Sequence, residues 1–409
     1  MLAALLLVRP AHAASVELSV AYSQPQVFRG LMEETAQLFM RDNPDIRIVF
    51  RPPTEGYVDM MEQTLRQAIT NTLPAVSFQG LYLVASLADR RLIAPIDEQP
   101  AIHAALEGTH TAMAALGRRS DRLYGLPFSV SLPLIYFNLD LVARAGGDPA
   151  HLPEGWNDLI SLGARISALG DNTAGLWVRY YPDTWYWQAM IETRGGRMIS
   201  EDETRLTFDG PEGLAAARIL ARVGTEARMP DISYAQARQA FVAGRVGIFM
   251  GSSSELARLE QGVGTRFHMR TAPFPLDSEA PRLPSGGNAA VVHSRDAAQQ
   301  EAAARYIAFM VGPVAQAIMV RNTGYMPIRM DMFEPGGTLA GYLMERPSYA
   351  TLIRQLPLAG PWLSFPGPNG LRAVLAVRDS LQGVVTGRVS PEEGVRRAAE
   401  QVRQLTGLK

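Results

Sequence analysis

Three consecutive hydroxyls, Ser252, Ser253 and Ser254, follow the apolar run at residues 246–250 and precede Glu255 and Leu256, where a helix can begin. Hydroxyls at such a point accept hydrogen bonds from the free N–H groups of a first helical turn. At the carboxyl end of a sheet strand, the same helix start offers donors to an oxygen-rich or anionic ligand. An ordinary cap with two spare serines is the competing reading of these residues alone. A serine nucleophile is the other available chemistry, but residues 251–255 read G-S-S-S-E and lack the G-x-S-x-G elbow. The histidines supply no base by position: His103 and His110 lie seven apart on a predicted helix, and His268 and His293 stand singly near strands.

A second group is aromatic. Trp177, Tyr180, Tyr181, Trp185, Tyr186 and Trp187 place six rings within eleven residues. Flat apolar faces with polar edges suit a sugar ring or a choline-like cation. About half of these rings are expected in the core, with Trp185 first among those facing a ligand. No H-E-x-x-H, phosphate-cradling G-x-x-x-x-G-K or dinucleotide glycine pattern occurs. The chain has no cysteine, which excludes disulfides, thiolate metal sites and a cysteine nucleophile. The expectation is therefore no metal, no cofactor and no catalysis. A secreted carbohydrate-active or ester hydrolase is the alternative, because a carboxylate pair has no fixed spacing.

The elements that must position these groups alternate in type. Residues 235–243 keep one apolar helical face, Gly244 ends that helix, and residues 246–250 form a strand covered on both sides. Strands at 16–22, 46–50 and 75–78 alternate with helices at 27–41, 57–72 and 82–90. Further helices are predicted at 156–169, 183–193, 211–223, 297–310 and 391–405. The pattern implies an α/β fold with largely parallel, doubly wound sheets. Residues 118–140 read instead as a hairpin and an extended crossing segment, and the proline- and glycine-rich 271–288 as a return crossing.

Length and composition fit a globular chain of two domains: 409 residues, 47% hydrophobic, 19% charged. A formal net charge of −1 argues against nucleic acid or an anionic membrane as the main partner. Residues 2–8 are unbroken apolar sequence, followed by the small-x-small pattern Ala11-His12-Ala13. They read as a secretory signal peptide, residues 1–13, cleaved near Ala13. No other segment approaches the roughly 18 apolar residues that span a bilayer. Export without cysteine or a lipidated cysteine points to the periplasm.

Four blocks, in order, carry a resemblance. They are Asn43-Pro44-Asp45-Ile46, Gly125-Leu126-Pro127 before Tyr136-Phe137-Asn138, the block at 241–251, and the run at 322–328 containing Thr323-Gly324-Tyr325. The chain resembles the periplasmic solute-binding proteins of ABC importers, extracellular solute-binding family 1, and most of all their glycerol-3-phosphate-binding branch. The resemblance implies a type II periplasmic-binding-protein fold: two lobes, each a sheet flanked by helices, with a ligand cleft between. Lobe 1 is expected to comprise 14–128 plus 283–325, and lobe 2 129–282 plus 326–409, with crossings near 125–135, 271–288 and 322–330. The implied function is capture of a small hydroxylated solute (sugar, polyol or glycerophosphate) by hinge closure, and delivery to permease subunits by a monomeric protein.

Carried across position by position, the branch's ligand-binding residues fall on Tyr57, on Ser129 and Ser131, on Trp185, on Ser252 and Ser253, on the backbone of Gly286 and Gly287, and on Tyr325. Two positions depart from the branch. Its acidic residue for ligand hydroxyls falls on Leu81, with Gln79 the nearest polar side chain. Its phosphate arginine falls on Val374, with Arg372 two residues earlier and about 200° away around a helix. The resemblance thus leaves the charge of the ligand open.

Overall fold

A computed structural model describes residues 16–409, apart from positions 171 and 182. The predicted signal peptide lies outside the described residues. Strand β1 (Val16–Ala21) pairs in parallel with β2 (Ile46–Phe50) on one side and β3 (Val76–Gly80) on the other. Helices Pro25–Asp42 and Tyr57–Ile69 make the two crossovers that parallel neighbours require. Pro25 opens the first helix, where a missing N–H costs nothing, and the side chain of Asn43 closes it by donating to the Phe39 carbonyl at 2.9 Å.

A small hairpin, β4 (Arg118–Arg119) and β5 (Arg122–Leu123), precedes the first passage between lobes. Strand β6 (Gly125–Ser131) belongs to the first sheet and β7 (Pro133–Asn138) to the second, with Leu132 alone between them. The second sheet adds β8 (Ala174–Val178), β9 (Val246–Ser252) and β10 (Met269–Ala272), in the order β10-β7-β9-β8. The chain then returns along β11 (Leu283–Val292), ten buried residues that pair with both β3 and β6. Strand β12 (Ala359–Pro361) joins the start of β11 in parallel.

The two-lobed α/β architecture agrees with expectation, but the sheets are less parallel than the alternation of elements suggests. Strand β11 runs antiparallel to β3 and β6, and β7 runs antiparallel to β9 and β10. A chain that passes between lobes as an extended strand has no helical crossover to reverse it, so it enters the next sheet against its neighbours. The return passage is correspondingly half strand, since its proline- and glycine-bearing residues 283–288 are paired. The sheets change hands at Leu132. Residues 326–409 do not stay with one sheet, because β12 pairs back to β11.

Each lobe has an aromatic centre. In the first, Phe78 meets Phe128 at 5.2 Å between ring centroids and Phe39 meets Tyr306 at 5.2 Å. In the second, Trp177 stacks on Phe249 at 5.5 Å, and Phe249 on Tyr234 at 5.7 Å. Helices Gly370–Val385 and Pro391–Thr406 pack on each other and on Pro211–Thr225 of the second lobe. Among the described residues, no single helix is long and apolar enough to cross a membrane.

His293, just after β11, is buried in the first lobe; its Nε2 accepts from Ser77 Oγ at 2.7 Å while Nδ1 donates to the Leu92 carbonyl at 2.8 Å. Burial, with Arg51 and Arg295 nearby, pushes its pKa down to about 4. Below pH ~6.5 the unfolded chain takes up a proton here that the folded chain refuses until near pH 4. Stability is therefore complete above that window and falls as pH drops through it, by about 3 kcal/mol from this group. Urea unfolding of His293→Gln beside the unaltered protein, at about pH 7 and about pH 4.5, should show a smaller acid loss in the variant.

Candidate functional site

The first lobe presents a wall of hydroxyls and rings. Gly80, at the end of β3, is flanked by the rings of Tyr57 and Tyr82. Tyr57 opens its helix, and its hydroxyl lies 3.4 Å from that of Tyr325 and 3.5 Å from Asn288 Nδ2. Tyr325 is held by stacking on Phe28 at 5.4 Å, and Ser254 of the other lobe acts on its hydroxyl, partly offsetting the upward push of burial on its pKa. Burial raises the pKa of Tyr57, Tyr82 and Tyr325, so all three keep their phenolic protons. Asn288 Oδ1 is buried and has no hydrogen-bond partner among the described residues.

The second lobe answers with the carboxyl ends of two parallel strands, β8 and β9. Arg179 directly follows β8. It donates to both oxygens of Asp183, at 3.0 and 2.6 Å, and its guanidinium lies over Trp185 at 5.0 Å and Tyr234 at 5.5 Å. Asp183 Oδ1 also accepts the Trp185 backbone N–H at 3.0 Å. The charges of Asp183 and Arg179 act on the Tyr82 hydroxyl of the facing lobe. At the end of β9, Ser252 Oγ accepts the Ser254 N–H at 3.2 Å and lies 2.8 Å from Ser254 Oγ. That is a cap at a helix start, not a nucleophile beside a base.

The walls meet where β11 passes Trp185. The indole Nε1 donates to the Pro284 carbonyl at 2.7 Å. A Cβ at position 286 would stand 2.8 Å from Ser131 Oγ and 3.1 Å from Trp185 Cζ2, so glycine is what lets these three residues meet. Trp362, beyond β12, lies 6.0 Å from Trp185 and only 4.0 Å from Tyr82. Tyr82 and Trp362 also line a cavity of about 540 Å³ between the lobes, with Gln188, Glu192 and Phe365. Burial pushes the Glu192 carboxyl up to about 7. At the cavity's edge Arg119 reaches Asp89 in its own lobe and Glu203 in the other, both at 2.9 Å.

The residues singled out by sequence divide on this geometry. Tyr57 and Tyr325 come together, as do Ser131, Gly286 and Trp185, and Ser252 stands at the facing helix start. Ser129 pairs in register with Asn288, its Oγ buried without a partner among the described residues. Gln79 turns into the first lobe, donating to Thr64 Oγ1 at 3.0 Å and Ser77 Oγ at 2.9 Å. Ser253 is spent on the crossing: its N–H donates to the Leu132 carbonyl at 3.0 Å and its Oγ accepts the Leu132 N–H at 3.2 Å. Gly287 pairs with Val130 at a φ of 114°, and the register of β11 against β6 shifts just beyond it, between Asn288 and Ala289.

Arg372 is exposed and does not line the cavity. Its helix buries Ala373, Val374 and Val377, and a residue two positions before Val374 points away from that face. The sequence reading passed over Tyr82, Arg179, Asp183, Asn288 and Trp362. Arg179 and Asp183 had a signal, a cation and a carboxylate four residues apart inside the aromatic run. Trp362 had none, since only folding brings β12 to β11.

Residues 34–339 match the family of bacterial extracellular solute-binding proteins. The chain belongs to that family. Curated relatives of this solute-binding protein include the sn-glycerol-3-phosphate-binding periplasmic protein UgpB of Escherichia coli (strain K12), 24% identical, the match covering 91% of this chain and 89% of that protein. UgpB from Mycobacterium tuberculosis, solved in complex with glycerophosphocholine, superposes with a TM-score of 0.85 at 18% identity, covering 96% of this chain and 98% of that one. A solute-binding protein from Thermotoga lettingae TMO, bound with α-D-tagatose, gives 0.82 at 20% identity over 96% and 100%. These likenesses confirm the two-lobed periplasmic-binding-protein fold.

Proposed function

We propose that this solute-binding protein is the capture component of an ABC importer, holding a small hydroxylated solute in the periplasm and passing it to membrane permease subunits as a monomer. One observation carries the reading. Tyr57, Asn288 and Tyr325 on one lobe face Trp185, Ser252 and Ser254 on the other, across extended strands that join the lobes. A ligand that touches both walls stabilises the closed arrangement by the contacts it makes only there. The names of the relatives support the compartment and a ligand that is a sugar or a glycerophosphate. The protein acts by binding and release, and no step of catalysis is assigned to it.

Removing a wall should cost affinity without unfolding a lobe. Trp185→Ala and Tyr325→Ala are each expected to weaken binding by roughly 1–3 kcal/mol, the range for a lost buried aromatic contact. Isothermal titration of the bound solute measures this. Unchanged affinity in both variants would remove the site from this cleft.

A further inference from the structure

Arg179 and Asp183 sit at the carboxyl edge of the second sheet with 12% and 10% of their side-chain surface left accessible. A guanidinium carries five N–H donors, and Asp183 takes one from each terminal nitrogen, so the Nε–H and one N–H on each terminal nitrogen have no acceptor among the described residues. The Asp183 carboxylate accepts two bonds from Arg179 and one from the Trp185 N–H, out of about four that it can accept. The pair therefore offers donors and an acceptor side by side, next to an indole face. Adjacent hydroxyls fit that arrangement: one accepts from Arg179 while its neighbour donates to Asp183.

The charge of this wall is already balanced. Arg179 is matched by Asp183, and Arg238 by Glu255 at 3.3 Å. The facing wall contributes Tyr57, Tyr82, Tyr325 and Asn288, all uncharged. An anion placed here would add charge beside Asp183 and Glu255 with no uncompensated cation in the cluster, among the described residues, to meet it. Asn288 Oδ1 needs a donor, which a ligand hydroxyl supplies. Arg372 is exposed, and of the four arginines around the neighbouring cavity Arg118 and Arg197 are exposed, Arg119 is held by Asp89 and Glu203, and the half-buried Arg90 donates to the Pro368 carbonyl at 3.1 Å, outside the Arg179–Asp183 cluster.

We infer that the ligand of this protein is uncharged, a sugar or polyol, and that Arg179 and Asp183 together read a pair of its hydroxyls. The inference rests on the solute-capture reading and narrows it. Calorimetric titration with glycerol-3-phosphate, glycerophosphocholine, D-tagatose, maltose and xylitol, at low and high ionic strength, tests it. An uncharged member of the panel should bind with an affinity that salt leaves unchanged. Arg179→Gln and Asp183→Asn, checked for folding by circular dichroism, should each weaken that binding about 10- to 100-fold. Because the charge and salt profile is read on the unaltered protein, it stands even where a variant fails to fold. Tighter binding of either phosphate ester than of every uncharged solute would overturn the inference and leave solute capture intact. Unchanged affinity in a folded Asp183→Asn would also overturn it, and binding of no member would overturn the capture reading and the inference with it.

Discussion

Replacing Asp183 by alanine is expected to lower the stability of the folded protein by about 3–5 kcal/mol, the cost of leaving a buried charge without its partner. Arg179 is held between Trp185 and Tyr234 with only 12% of its side-chain surface accessible, so water replaces little of what Asp183 provides. It would lose both bonds to Asp183, at 3.0 and 2.6 Å, and the Trp185 N–H would lose its acceptor at 3.0 Å. Removing both charges is a different experiment. A paired Arg179→Met and Asp183→Leu replacement should recover most of the loss, because desolvating an ion pair offsets much of what the pair contributes. Urea unfolding midpoints of the two variants measure the contrast. A midpoint unchanged in Asp183→Ala would mean that the pair is solvated and adds nothing to the wall. The double variant should fold and yet bind no solute, which separates the dyad's role in recognition from its role in stability.

Gly287→Ala is the second large effect, expected at about 2–4 kcal/mol. The residue has φ of 114°, in a region that alanine adopts only under strain, and its Cβ would stand 2.0 Å from the Ser129 carbonyl oxygen. The obstacle is backbone, so relief requires β11 to move away from β6, the strand that continues through Leu132 into the second lobe. Gly286→Ala is the informative neighbour. Its Cβ meets side-chain atoms of Ser131 and Trp185, which can rotate, so it should cost less stability while still disturbing the site. Thermal melts of both variants rank them. A Gly286→Ala less stable than Gly287→Ala would contradict the assignment of backbone strain to position 287.

The early strands and helices were legible because their apolar residues repeat at the spacing of their own element. The strand at 46–50 and the helix at 297–310 fall where periodicity places them. Strand direction was not legible, since alternating elements predict parallel pairing while β7 and β11 arrive by extended passages between lobes. Strand β12 is three residues long and exists through its pairing with β11, which no local pattern announces. In the site, hydroxyls and glycines beside strand ends were readable, but their duties were not. Ser252 and Ser253 are adjacent and alike in sequence, yet one faces the cleft edge and the other is spent on Leu132. Register fell on Val374, with Arg372 the nearest arginine, whereas the cation at the wall is Arg179, just after a strand 193 positions before Arg372. Helix facing decided that, and it follows from how Gly370–Val385 packs.

Thermal melting of the protein against a panel of sugars, polyols and glycerophosphates tests solute capture most directly. A ligand at a hundred times its dissociation constant adds about 2.7 kcal/mol, which for a chain of this size raises the melting temperature by several degrees. The account predicts such a rise with at least one small hydroxylated solute, reduced or lost in Trp185→Ala. No rise with any member of the panel, or conversion of a member into product, would contradict it.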